Sequence, residues 1–325
     1  MPASLCIRKD LGDERIFAKW QNPDYLAQAQ RPGFLTDRRH FLQVYHHSNG
    51  PLISVECCEF IPSHIEQVRL WGKSESGWKC LETGALSLHP KSTLSDLHIE
   101  DYVSNCVPHV LTEIGHGHSI SSIAGNMRAE GLVKDAQHLL TATYLLVTGW
   151  QLGASPPITD PSSPYYGSSP APRVLQNELD RRLEWYISSL ESRLLADLRA
   201  ALVKRTAPWN DIYLTGLLVL AVVEIDSWRL MYWIRHKEEA YKWRHPDSAQ
   251  KLVEKAIFYV NMILAHLHFF GEIPDAFTRL GAQMEAKRPG SSYQETNHNS
   301  LDGALTRLGL IGGDLQFVKW DDFVC

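Results

Sequence analysis

The stretch Pro172–Arg199, PRVLQNELDRRLEWYISSLESRLLADLR, followed by Asp211–Ile225, DIYLTGLLVLAVVEI, decides the fold. In the first, Leu175, Leu179, Leu183, Ile187, Leu190, Leu194 and Leu198 recur at steps of three or four, with Arg181, Ser188, Ser192 and Arg199 opposite them. Each helical residue turns about 100° round the axis, so this spacing gathers the apolar side chains into one stripe and predicts a long amphipathic helix. Ile212–Ile225 is apolar on every face, as a helix at the centre of a bundle must be. Pro208 closes the first helix, and Asn210 or Asp211 can cap the second.

Upstream, Asp101–Glu113 and Leu132–Leu146 repeat the helical period on either side of a Gly/His/Ser-rich break at Gly115–Ser122. Downstream, an aromatic-rich continuation through Trp228, Tyr232, Trp233 and Trp243 ends at His245-Pro246. Asp247 and Gln250 have capping-box spacing ahead of a helix whose Val253, Ala256, Ile257, Val260, Leu264 and Leu267 share a face, and Gly271 is placed to end it. Six prolines and five serines within Ser155–Pro172 exclude both helix and strand, which predicts a surface loop outside the core. By contrast, Ile53, Val55 and Cys57 alternate with Ser54 and Glu56, and Val68–Trp71 and Trp78–Leu88 follow. Period two is the mark of strands.

These readings predict a mainly α fold, a helical bundle with a small antiparallel β element in the N-terminal third. Residues 1–45 form a poorly defined N-terminal segment with a short helical possibility around Tyr25–Gln30. Residues 46–280 form one mostly helical domain, with the β element at about 51–88, helices at about 101–270 and the Pro/Ser-rich loop at 155–172. Residues 281–325 are a partly ordered tail, with Phe317 and Trp320 as its docking groups.

Of the 325 residues, 44% are apolar and 21% charged, a composition that supports a packed fold and argues against disorder. A net charge of −5 gives no overall attraction to phosphate, and Arg38-Arg39-His40 and Lys287-Arg288 are too small for a DNA-binding stripe. No direct DNA binding is expected. The six cysteines, Cys6, Cys57, Cys58, Cys80, Cys106 and Cys325, lack the paired spacing of zinc ligands and read as reduced thiols of an intracellular protein. Charge at Arg8 interrupts any secretory leader, and the 14 residues of Ile212–Ile225 fall short of the roughly 20 needed to cross a bilayer. No membrane association is expected.

The candidate chemical motifs are all incomplete. His116-Gly117-His118, His266-Leu267-His268 and His46-His47 come without a C-x-x-C, and on a helix His266 and His268 diverge by roughly 200°. They read as core or surface histidines. A phosphate cradle at Gly115 and Gly117 lacks its third glycine, since position 120 is Ile120. A serine elbow at Gly72-Lys73-Ser74-Glu75 ends on Ser76 where glycine is needed. Asp321-Asp322 has no third carboxylate in helical register for a magnesium cluster. No catalytic, cofactor-binding or metal residue is therefore assigned. Glu224, Asp226 and Arg229, with Trp228 and Trp233, are candidates for lining an effector pocket, because a few polar groups among aromatics are what small-molecule sites contain. The competing reading is an ordinary i, i+3 pair of Asp226 and Arg229 at a helix surface.

Five segments in order carry a family resemblance: GPLISVECCEFIP at Gly50–Pro62, LLTATYLLVTG at Leu139–Gly149, PRVLQNELD at Pro172–Asp180, Asp211–Leu220, and LAHLHFFGEIP at Leu264–Pro274. Their order and spacing, over roughly positions 45–280, resemble the C-terminal half of fungal transcription factors of the zinc binuclear-cluster class. The resemblance implies an all-helical regulatory region that controls activation and dimer formation in the nucleus. The chain departs from that class in its cysteines, since Cys6 is the only one before Cys57 and no zinc ligand can be carried over.

The expected role is thus a non-catalytic regulator of RNA polymerase II transcription, of a metabolic or biosynthetic gene set. Its expected partners are a second copy or a full-length factor, the transcription machinery and a small-molecule effector. It would be either a truncated product or a stand-alone module. The rival is an all-α enzyme or small-molecule-binding accessory protein of a biosynthetic pathway, using a cavity beside the helix Ile212–His245.

Overall fold

The computed structural model describes residues 34–74, 77–92, 94, 96–115 and 130–236, and positions 248, 251, 254–255, 258–260, 262–263 and 266–267. Within 227–236 only the backbone is described. The strands are β1 (Phe34–Tyr45), β2 (Ile53–Ile61), β3 (Arg69–Ser74), β4 (Gly77–Glu82), β5 (Leu86–Leu88) and β6 (Gln151–Leu152). The helices are α1 (Asp96–Gly115), α2 (Gly131–Thr148), α3 (Arg173–Lys204) and α4 (Trp209–His236).

An antiparallel sheet in the order β5-β2-β1-β6 and a separate β3-β4 hairpin overturn the mainly α expectation. The fold mixes helix and strand. The alternation at Ile53–Cys57 marks β2, but β1 pairs with it along most of its length while showing no clean period two. The reason is local: the register slips between Leu35 and Arg39, where Thr36, Asp37 and Arg38 form an irregularity that sequence alternation cannot survive. β6 is two residues long and is held between β1 and the Ser169–Pro170 segment, so it has no local signature.

One face of this sheet closes on the helices. Val44, Ile53, Val55, Cys57 and Leu88 are buried and run without a break into the helical core at Ile99, Val103, Leu139, Ala142, Leu179 and Leu217. All seven stripe residues of α3 are buried. α2 packs against α1, α3 and, most extensively, α4. The described positions between 251 and 267 are helical, and a Cβ on Gly216 of α4 would stand 2.8 Å from the Leu267 side chain. That contact explains glycine in so apolar a helix.

α3 ends at Arg205, whose left-handed φ of 54° turns the chain while its N–H bonds the Ala201 carbonyl. The Pro208 carbonyl then accepts the Asp211 and Ile212 N–H groups, so α4 begins at Trp209, ahead of the expected cap at Asn210 or Asp211. Polar side chains fasten the first turns of α3 to the sheet: Glu178 accepts the Leu88 N–H (2.6 Å) and the Ser87 hydroxyl (2.8 Å).

The Pro/Ser-rich loop is irregular as expected, but it does not stay outside the core. Ser169 and Ala171 are buried. Upstream of them the loop lies across the β3-β4 hairpin, with the Tyr165 hydroxyl donating to the Trp71 carbonyl (2.9 Å) and Lys79 Nζ to the Ser162 carbonyl (2.7 Å). A Cβ on Gly72 would come within 2.6 Å of the Pro164 ring, so only glycine admits the strap at that point. The Tyr25–Gln30 helix, the break from position 116, the Asp247–Gln250 box, Gly271 and the tail lie outside the described residues. Ser248, beside that box, accepts the Lys251 N–H at 3.2 Å.

Candidate functional site

Among the described residues, two groups of buried polar side chains stand out against the apolar core, one at the end of β1 and one on α4. The first forms where β1 ends. His46 and His47 leave the strand in a turn closed by the Gly50 N–H on the His47 carbonyl (2.8 Å). Across from them, α2 ends at Gly149 with φ 73°, which delivers Trp150 into the core at 0% exposure. Trp150 Nε1 donates to Asp180 Oδ1 on α3 at 3.0 Å.

The two histidines are placed oppositely. The His46 ring sits 4.0 Å from the Trp150 ring, and its Nδ1 is 2.8 Å from the Tyr102 hydroxyl of α1. Burial holds its pKa well below 6.5, and the neighbouring His47 pushes in the same direction. His47 turns instead to Glu113, with Nδ1 3.0 Å from Oε2, and stacks on His109 at 5.9 Å. His47, more than the nearby Tyr144, holds the Glu113 carboxyl below its ordinary range. Nε2 of both histidines is buried and makes no hydrogen bond. No group of three or more His, Cys, Asp or Glu among the described residues could hold a metal ion.

The second cluster lies on α4. Glu224 is 8% exposed, its Oε1 has no hydrogen-bond partner, and burial alone raises its carboxyl well above 4.5. Asp226 is buried as well. Two residues apart on a helix, the pair diverges by roughly 200°, so they do not line one wall together. Trp228, Arg229 and Trp233 continue α4, and their side chains lie outside the described residues.

The remaining sequence candidates have ordinary roles where they are described. His266 Nδ1 lies 2.7 Å from the Met262 carbonyl one turn earlier. The Ser74 hydroxyl donates to the Gly77 carbonyl at 2.9 Å and closes the β3-β4 turn. Arg38, Arg39 and His40 are engaged by Glu59, Glu56 and Glu59 at 3.6, 3.0 and 3.0 Å, which neutralises the basic group. Cys57, Cys58 and Cys106 are buried free thiols, and Cys80 is exposed. His116, His118, Gly117, His268, Lys287, Arg288 and Asp321-Asp322 lie outside the described residues. No helix among the described residues is long and apolar enough to cross a membrane.

Sequence reasoning missed Tyr102, Glu113, Tyr144 and Asp180, which come from three helices and meet only in space. One signal was readable. Glu191 stands beside Leu190 and Leu194 on the apolar side of α3 and is 1% exposed, and an acid in that position needs an explanation.

Comparison with known proteins agrees with a regulator. Residues 17–287 match the family described as the KpeA transcription factor. No curated protein and no solved structure matches the chain. The match is to a transcription factor family, as the sequence resemblance implies, but that family is not the zinc binuclear-cluster one. Because it spans most of the sequence, including both buried polar clusters, the chain belongs to the KpeA transcription factor family.

Proposed function

We propose that the chain is the regulatory part of a nuclear transcription factor of fungal type, acting on RNA polymerase II transcription of a metabolic or biosynthetic gene set and without catalytic activity. The single observation behind this reading is the family match over residues 17–287. Its physical support is a core filled by packing: the helix interiors are leucine, isoleucine and valine, and the buried polar groups at the end of β1 bond one another. Such a core holds a conformation that a partner or effector can bias. The proposed partners are a second copy or a full-length factor, and the transcription machinery. Similarity to the regulatory half of zinc binuclear-cluster factors belongs to this proposal too, through the five ordered segments from Gly50 to Pro274.

The test fuses the chain to a heterologous DNA-binding domain and reads a reporter in fungal nuclei, with fluorescence locating the fusion. Nuclear accumulation and a reporter response of either sign are expected. A fusion excluded from the nucleus, or a silent reporter with the fusion present, would refute the reading.

A second element of the proposal is a small-molecule effector near Glu224, favoured by the unpartnered buried carboxyl. Natural proteins retain such groups against their stability when function needs them. If Glu224→Leu left the reporter response unchanged, the effector element would be lost and the regulator reading would stand.

A further inference from the structure

The Pro/Ser-rich strap holds a motif that neither the fold nor the proposed function uses. Ser155-Pro156, Ser163-Pro164 and Ser169-Pro170 are Ser-Pro dipeptides, and the sequence has no other Ser-Pro and no Thr-Pro. A proline after a serine fixes its own φ, removes an N–H and holds the serine extended, which gives an approaching enzyme a stiff and distinctive substrate. The fold treats the three serines differently.

Ser169 is 8% exposed, and its hydroxyl donates to the Ser155 carbonyl at 3.0 Å. Ser163 sits at the joint of two turns, closed by its N–H on the Asp160 carbonyl (3.0 Å) and by the Tyr166 N–H on its own carbonyl (3.1 Å). Its hydroxyl accepts the Tyr165 N–H at 3.2 Å, and the following Pro164 is seated on Gly72. Ser155 has neither shield. The Leu152 N–H on the Ser169 carbonyl (2.7 Å) and the Ile158 N–H on the Ser168 carbonyl (2.9 Å) pin both ends of a short excursion, and Gly153, Ala154, Ser155, Pro156 and Pro157 between them are all exposed.

We propose that Ser155 is a phosphorylation site for a proline-directed serine kinase, presented by the fold while Ser163 and Ser169 are withheld. The flanks choose the class of enzyme. From Gln151 to Thr159 there is no charged residue, so a kinase that reads a base before the serine or an acid after it finds nothing to hold. Pro156 is what remains to be read. In the reaction Ser155 Oγ attacks the γ-phosphorus of Mg-ATP and the new O–P bond forms as the bond to the β,γ-bridging oxygen breaks. ADP leaves, and the hydroxyl proton passes to the kinase's base and on to solvent. The product carries about −1.5 to −2 charge at pH 7. Ser169 holds Ser155 by its carbonyl and not by its hydroxyl, so the phosphate adds charge without undoing the strap. This inference goes beyond the proposed function and does not depend on it, since its test needs no transcriptional readout.

The experiment incubates the folded full chain with a mitogen-activated protein kinase and Mg-ATP, and reads intact mass and phosphopeptides. One phosphate per chain is expected, at Ser155, and Ser155→Ala should lower the rate of incorporation at least tenfold. Position 155 is exposed, so the circular dichroism of that variant should match the parent's, and phosphorylation should leave the melting temperature unchanged.

The shielding of Ser163 is read in Gly72→Ala, with circular dichroism checking that the variant folds. The added Cβ, 2.6 Å from the Pro164 ring, lifts the tip of the strap from β3, and Ser163 should then become a second site while Ser169 stays unmodified. The proposal would be overturned by a parent that takes up no phosphate, by incorporation unchanged in Ser155→Ala, or by Ser163 or Ser169 of the parent reacting as fast as Ser155. A folded Gly72→Ala protein in which Ser163 stays unmodified would overturn the account of how the fold selects among the three.

Discussion

The end of β1 and the middle of α4 both bury groups able to ionise, but only one of them surrounds those groups with partners. Around β1, His46 meets Tyr102, Trp150 meets Asp180 and His47 meets Glu113, so each of these side chains gained a partner when it lost water, although Nε2 of both histidines did not. On α4, Glu224 was taken out of water and its Oε1 gained nothing. The first arrangement specifies how the sheet docks on the helices. The second weakens the fold, and a group that weakens a fold is where function is to be sought.

The contrast is broken most forcefully at Trp150, which the sheet, α1 and α3 all use. Trp150→Ala removes the largest fully buried side chain together with the bond to Asp180, and should cost about 3–5 kcal/mol in denaturant unfolding. Trp150→Phe keeps most of the packing and should cost about 2–3 kcal/mol, the size of a hydrogen bond to a charged group plus a small void. Equal losses from the two substitutions would mean that the polar network contributes the whole effect and packing none.

Glu224→Leu should act in the opposite direction. Replacing an unpartnered buried carboxyl by an apolar group of similar volume should raise stability at pH 7 by about 1–3 kcal/mol. Its pH dependence identifies the cause. The folded carboxyl is held above 4.5, so below 4.5 both states are protonated and Glu224 imposes no ionisation penalty. As pH rises through 4.5 towards the folded value, the unfolded chain releases its proton first and stability falls. The gain from Glu224→Leu should therefore shrink as pH drops towards 4.5, and a gain independent of pH would point to better packing instead.

These two regions also mark how much of the structure the sequence disclosed. Period 3.6 located α3 and an apolar run without a polar face located α4, because both signals answer to geometry within a single element. The sheet was half legible: β2 alternates, whereas β1 hides its strand behind the irregularity at Thr36–Arg38, and β6 exists only because β1 and the Ser169–Pro170 segment flank it. The candidate site followed the same rule. Glu224 was readable because a lone acid in an apolar run violates a local pattern. Tyr102, Glu113, Tyr144 and Asp180 break no local pattern, and their meeting is a property of the tertiary fold that no window of sequence contains.

The histidine at the end of β1 gives a smaller effect that sharpens the contrast with Glu224. His46 is held well below 6.5, and His138 of α2 is lowered too, so the fold keeps both neutral while the unfolded chain takes up protons. Stability is intact above pH 6.5 and falls as the pH drops below it, with a limiting slope of about 1.4 kcal/mol per pH unit for each group. His46→Gln should flatten the slope between about pH 6.5 and 5 by as much as one proton's share. A slope unchanged in that variant would assign the pH response to His138 and leave His46 merely packed.

Thiol labelling reports on the same boundary with almost no energetic disturbance. Burial pushes Cys57 of β2 and Cys106 of α1 up to about 12, whereas Cys80 is exposed on β4. At pH 8 a thiol with that pKa is ionised in only about one molecule in 10⁴, and its enclosure blocks the reagent besides. Among the described cysteines iodoacetamide should therefore modify Cys80 first, and Cys57 and Cys106 only through opening of the junction between sheet and helices. If so, Trp150→Phe, which loosens that junction, should speed labelling of Cys57 and Cys106 together and leave Cys80 unchanged, while Glu224→Leu should slow the pair if the opening is global. Acceleration of Cys106 without Cys57 would show that α1 detaches on its own, and the polar network at the end of β1 would then be a hinge instead of a fastening.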